Sequence, residues 1–239
     1  MGRAYEVRKA SMEKTANAKA KVYSRFGKEI YMAAKAGEPD PEMNTGLKRV
    51  IEKARANQVP ADVIKRAVDK AKGGDAENYN EYRYEGFGPG ASTFIVDCLT
   101  DNVNRTVSEV RNCFTKSKGK MGVSGSVLHF YDNVGLLSFS GQPEEAVLEA
   151  LLEADVDVID LENNEGELSV LVNPADLYKA KEALDSTFGE LNYDGLEVTF
   201  LPQETVALET DDDVQLFERL TRMLDDVDDV QHVYHNVQL

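Results

Sequence analysis

Lys21, Arg25, Lys28 and Lys35 recur at i, i+4, i+7 and i+14. At about 100° per residue such a set falls within one stripe of a helix. Clustered cations have the chemistry to neutralise backbone phosphates. Val22, Phe26 and Ile30 fall roughly opposite, so the helix can bury one face and present the other. Lys14 joins the stripe if the helix reaches that far. Lys48, Arg49, Lys53 and Arg55 follow on a second segment, diluted by Glu52. Arg105, Arg111, Lys116, Lys118 and Lys120 gather near the loop Lys118-Gly-Lys-Met-Gly-Val-Ser-Gly125. That loop lacks the order of a P-loop. Contact with phosphate and a plain flexible connection are equal readings of it. Tyr5, Tyr23 and Tyr31 are available for base stacking, with core packing the stronger claim on Tyr23.

Other chemistry has less support. Gly86-Phe-Gly-Pro-Gly-Ala91 fits G-x-G-x-x-A superficially. A dinucleotide site needs a helix after the glycines, whereas a β-rich run follows here, so a tight packed turn is the reading. His232 and His235 on a strand point to opposite faces and make poor joint metal ligands, and His129 stands apart. Cys98 and Cys113 lack C-x-x-C spacing and read as buried small hydrophobes. Asp211-Asp-Asp213 suits the N-cap of a helix. Asp225-Asp-Val-Asp-Asp229 lacks the glycine and closing Glu of a calcium loop and reads as a solvated turn. No nucleophile–base spacing and no paired carboxylates stand out. The expectation is a protein without enzymatic activity, cofactor, metal or small-molecule substrate.

The net charge of −16 hides a gradient. Residues 1–74 carry +8, residues 75–140 carry −2 and residues 141–239 carry −22. A basic working end on an acidic body is the implied organisation. No apolar run approaches a membrane span. The polar first fifteen residues carry no secretory h-region, and with only two cysteines a cytoplasmic protein is expected.

The elements that must position these residues follow from periodicity. Three amphipathic helices are expected in the first 74 residues: 18–36, a second from Asn44, and a third from Pro60 to Gly73-Gly74. After them a strand at 92–99, a helix at 104–116 and a strand at 126–131 read as a β-α-β unit. A strand at 134–139, a helix at 143–154, strands at 156–161 and 167–172, a helix at 174–188 and a strand at 196–201 give the ferredoxin-like β-α-β-β-α-β order. A short strand at 205–208, a helix at 213–224 and a strand at 230–237 complete a second such set. The fold class is therefore α+β: an N-terminal three-helix domain plus two ferredoxin-like α/β domains, one inserted in the other. The expected boundaries are a basic helical domain at 1–76, a discontinuous domain at 77–132 and 204–239, and an inserted acidic domain at 133–203.

Lys21-Val-Tyr-Ser-Arg-Phe-Gly-Lys-Glu-Ile30, Asn44-Thr-Gly-Leu47, Ala56-Asn-Gln-Val-Pro60, Arg83-Tyr-Glu-Gly-Phe-Gly-Pro89, Leu99-Thr-Asp-Asn-Val-Asn-Arg-Thr-Val107, Glu109-Val-Arg111 and Gly122-Val-Ser-Gly-Ser-Val127 resemble the YebC/PmpR family. The resemblance runs in order over nearly the whole chain, and the acidic ending with Tyr234-His-Asn-Val237 fits it. It implies three domains, the third inserted in the second. It also implies a cytoplasmic, non-enzymatic regulator of gene expression. Bacterial members of that family are described as probable DNA-binding transcriptional regulators. Others act in translation at the ribosome, including relief of stalling on proline-rich stretches, and one activates mitochondrial translation of a cytochrome oxidase subunit. A protein-binding scaffold is the third alternative. Family members usually open with His-Ser-Lys-Trp, where this chain has Ala4-Tyr-Glu-Val7 and no Trp. Whatever that stretch does is not carried over.

Overall fold

A computed structural model describes residues 19–73 and 78–238. Lys14, Tyr5 and the Ala4–Val7 stretch lie outside the described residues.

Among the described residues three helices come first: α1 (Lys19–Lys35), α2 (Thr45–Ala56) and α3 (Ala61–Lys72). Their apolar faces meet in one core of Phe26, Ile30, Tyr31, Leu47, Ile51, Ile64, Ala67 and Val68 among others. Asn44 starts α2 as the sequence implies: its side chain accepts the Leu47 N–H at 2.9 Å. The same side chain donates to the carbonyls of Ala33 and Glu38, tying the α1–α2 connection together. Tyr31 is buried in this core, so it offers no face to a base.

Two four-stranded antiparallel sheets follow. The first contains β1 (Asn80–Phe87), β2 (Thr93–Thr100), β3 (Lys120–Met121) and β8 (Val230–His235), in the order β3-β1-β2-β8. Helices α4 (Val103–Lys116) and α7 (Asp211–Asp225) cover one face, burying Phe94 against Phe114 and Phe217. The second contains β4 (Tyr131–Ser140), β5 (Val158–Asn164), β6 (Glu167–Val172) and β7 (Tyr193–Pro202), ordered β5-β6-β4-β7. Its helices are α5 (Glu144–Glu153) and α6 (Leu177–Phe188). Leu137, Phe139, Val147, Leu151, Leu168 and Leu184 form its main core. Among the described residues, His129–Val206 belong to one compact unit, and the residues up to Leu128 join Ala207–Val237 in another.

The second sheet has the ferredoxin-like order expected from β-α-β-β-α-β. The first reaches the same order by a different chain path. The segment expected to be its strand at 205–208 makes only an isolated bridge, in which Gln238 N donates to the Val206 carbonyl. Its place beside β2 is taken by β1, which precedes all the other strands and pairs antiparallel with both β2 and β3. The strand expected at 126–131 is also corrected. Residues 122–130 are mostly loop and a 3₁₀ turn at Leu128–Phe130; the β-α-β unit closes instead on the earlier, shorter strand β3. The reason is Glu85 on β1. Its carboxylate accepts the N–H groups of Gly125, Val127 and Leu128 at 2.6–2.8 Å, pulling those amides away from any ladder. Burial works to raise the Glu85 carboxyl, but these three bonds hold it below its usual range.

The glycine segment 86–91 is the packed turn expected. A Cβ on Gly86 would stand 2.5 Å from the Phe114 ring, and Gly90 has φ +59°. Thr210, rather than an aspartate, caps α7 by accepting the Asp213 N–H, while Asp211, Asp212 and Asp213 form its first turn.

Candidate nucleic-acid interface

The first basic stripe is not free. Arg25 Nε donates to the Val230 carbonyl at 3.0 Å, and its guanidinium reaches Asp225 at 3.4 Å. Lys28 Nζ donates to Asp229 Oδ1 at 3.0 Å and to the Asp228 carbonyl at 2.9 Å. Lys21 pairs with Asp226. The face of α1 expected to meet phosphate therefore docks on the acidic turn between α7 and β8. Asp226 and Asp228 of that turn are solvated as its composition suggests, but Asp229 is buried.

Asp229 is the centre of the contact, with a side chain only 3% exposed. Besides Lys28 it accepts from Thr100 Oγ1 at 3.0 Å, Thr106 Oγ1 at 2.8 Å and Arg105 Nη2 at 2.7 Å. Burial alone would raise its pKa. The bonds from Arg105, Thr106, Lys28 and Thr100 outweigh that and hold it at about 2. Arg105, expected at phosphate, is thereby committed to Asp229 and Asp101, and its own pKa is raised by the same bonds. Within Leu99–Val107, then, Thr100, Arg105 and Thr106 converge on one buried carboxylate and together satisfy it. Spacing along the chain gives no sign of this, because Asp229 stands more than 120 residues away.

Beside this contact, Glu29 on α1 meets His232 Nε2 at 3.5 Å. Burial pushes the Glu29 carboxyl up, but the His232 hydrogen bond and the charges of Lys53 and Arg25 leave it lowered. His235 faces the other side of β8, against Phe94 and Phe217. The two histidines are parted as their spacing requires. Cys98 and Cys113 are both buried, and burial pushes the Cys98 thiol up to about 12.

The other expected cations have a different setting. Lys48 and Arg55 of α2 are exposed and stand at i, i+7, on one side of the helix. Arg49 and Lys53 are only partly exposed. Lys35 is exposed, with Nζ 5.8 Å from the centre of the Tyr31 ring. Residues 19–73 carry 13 Lys and Arg against 7 Asp and Glu. Arg111, Lys116, Lys118 and Lys120 are exposed around the end of α4 and β3. Lys118 has φ +56° and pairs with Asp212 at 3.0 Å, where both side chains are solvated. The structure thus separates the expected set into a group paired across the acidic turn (Lys21, Arg25, Lys28, Arg105) and two groups with exposed members, Lys48 and Arg55 on α2, and Arg111, Lys116, Lys118 and Lys120 on α4 and around β3, where Lys118 keeps its solvated pair. No helix among the described residues is long and apolar enough to cross a membrane.

Two family models match this chain. Residues 3–74 match the TACO1/YebC protein N-terminal domain, and residues 79–237 match the TACO1/YebC second and third domain. A probable transcriptional regulatory protein from Hydrogenovibrio crunogenus is 54% identical over the full length of both chains. One of the same description from Marinobacter nauticus is also 54% identical, covering all of this chain and 99% of its own. Among solved structures, a conserved hypothetical protein from Aquifex aeolicus superposes with a TM-score of 0.77 at 32% identity, covering 94% of this chain and 92% of that one.

Proposed function

The chain belongs to the TACO1/YebC family, and from that premise we propose that it is a non-enzymatic, DNA-binding regulator of transcription. The relatives' shared description supports the regulatory role. The observation that carries nucleic-acid binding is the accessible basic side of α2, with Lys48 and Arg55 exposed on a segment of net positive charge in an otherwise acidic chain. Lys48, Arg49, Lys53 and Arg55 are the phosphate contacts in this reading. Phosphate contacts fix position without reading sequence.

If about four phosphates are neutralised, log affinity for duplex DNA falls with log salt at a slope near −3 to −4. Replacing Lys48 and Arg55 together by Ala lowers affinity across sequences and flattens the slope by about 2. A folded double variant with unchanged affinity and slope overturns the assignment.

The second reading is a ribosome-associated translation factor. The separate exposed group Arg111, Lys116, Lys118 and Lys120 favours it, because a structured RNA surface rewards two contacts held at fixed spacing. In that case the protein co-sediments with ribosomes at physiological salt. Neutralising Lys116, Lys118 and Lys120 weakens this while short-duplex binding persists. A deletion strain with normal ribosome occupancy at proline-rich codons and altered transcript initiation rules against it.

A further inference from the structure

Phe87 ends β1 and lies directly across from Lys120 of β3. Opposed residues of an antiparallel pair set their side chains on one face of the sheet. Here it is the face of Glu85, opposite the helix-covered face at which Gly86 meets Phe114. The Phe87 residue is 41% exposed. Lys120 lies across the strand from it, and Lys116 and Lys118 come shortly before Lys120 in the chain, at the end of α4 and in the turn that follows; all three lysines are exposed.

The backbone beside the ring is kept thin and fixed. A Cβ on Gly119 would stand 2.7 Å from the Phe87 carbonyl oxygen. A Cβ on Gly122 would stand 3.4 Å from the ring carbon Cε2 and only 2.3 Å from Ser126 Oγ. Two residues upstream, Glu85 holds the loop through its three amide bonds. A partly exposed aromatic ring at the end of β1 is thus presented in a set position, with Lys120 opposite it on the same face.

We propose that Phe87 is a stacking platform for an unpaired base of single-stranded nucleic acid, with Lys116, Lys118 and Lys120 on the flanking phosphates. Stacking on an aromatic ring accepts any base, and lysines that track the backbone supply the charge. A paired base inside a duplex has no free face to offer. An apolar protein partner would bury three lysines, a residue type that interfaces avoid. The Lys118–Asp212 pair is a solvated surface pair, which a phosphate can replace at little cost. The proposal rests on the nucleic-acid reading above and adds to it a ligand class and a site away from α2.

The test uses the full chain and labelled oligonucleotides of about 10 nucleotides. Single-stranded RNA, single-stranded DNA and a duplex of the same sequence are compared by fluorescence anisotropy at fixed salt. Phe87→Leu weakens single-strand binding about 5-fold or more, the range expected for one lost stacking contact. Phe87→Tyr keeps it, and duplex binding by both variants stays within about 2-fold. A strand carrying 2-aminopurine is quenched by the wild type and by Phe87→Tyr, not by Phe87→Leu. The arm with the larger Phe87→Leu effect identifies RNA or DNA as the strand recognised. The triple Ala variant of Lys116, Lys118 and Lys120, which leaves the ring intact, flattens the single-strand salt slope by about 2. Wild-type affinity of Phe87→Leu for single strands, or equal loss on strands and duplex, overturns the proposal. Binding of duplex alone by the wild type overturns it while leaving the proposed function standing. Binding of neither form overturns both.

Discussion

The basic side of α1 and the basic side of α2 have similar composition and opposite fates. On α1, Lys21, Arg25 and Lys28 meet Asp226, Asp225 and Asp229 of the same chain. On α2, Lys48 and Arg55 are exposed. A periodic row of lysines states that a helix face is charged. Whether that face is available depends on which other element packs against it, here a turn about 200 residues downstream. The acidic turn supplies to α1 the negative charge that the sequence alone assigns to a phosphate backbone. The difference also separates two settings of positive charge: on α1 it is paired within the protein, and on α2 Lys48 and Arg55 are open to solvent.

The largest test of that division is Asp229→Ala. It leaves Lys28, Arg105, Thr100 and Thr106 without their shared acceptor. Removing one partner of a buried ion pair costs about 3–5 kcal/mol, readable by urea unfolding. A loss below about 1 kcal/mol would show that the contact is incidental. Because the Asp229 pKa is depressed to about 2, its contribution is complete above the ordinary carboxylate value near 4 and is lost as pH falls through about 2. The wild type should therefore lose stability more steeply between about pH 4 and 2 than Asp229→Asn does.

Lys28→Ala comes next. It removes one of four donors to Asp229 and keeps the rest, so a cost of about 1–3 kcal/mol is expected. Triple replacement of Lys21, Arg25 and Lys28 by Glu would, on the sequence alone, leave the fold intact and abolish binding. The structure reverses the first half, since three new carboxylates would face Asp225, Asp226 and Asp229. That variant should melt well below the wild type.

The comparison sharpens with an isolated 1–74 fragment. Cutting it away frees Lys21, Arg25 and Lys28, so its salt slope on duplex DNA should be steeper than that of the full chain by about 2–3. Equal slopes would mean the acidic turn does not compete for that face. The smallest effect belongs to Lys21→Ala, a surface pair worth about 0.2–1 kcal/mol, which should vanish in 1 M salt.

Much of this was legible in the residues. The helices at 19–35, 45–56 and 61–72 follow from apolar spacing and from the breaks after each. The regular ferredoxin-like sheet follows because its strands and helices come in order. In β1, Tyr82 and Tyr84 alternate with Glu81, Arg83 and Glu85, a period-2 signal weakened by its polar half and by Gly86. Phe87 looked like part of a turn because glycines flank it.

What the sequence determined by itself is local: periodicity, caps, turns and the sign of charge along the chain are set by neighbours a few residues apart. The tertiary structure alone decided that β1 fills the place of a later strand, that Glu85 anchors the 122–128 loop, and that Asp225, Asp226 and Asp229 pair with the basic face of α1. Each joins groups far apart in the chain, and in each a buried carboxylate or an open strand position had to be satisfied by whatever the fold brought within about 3 Å.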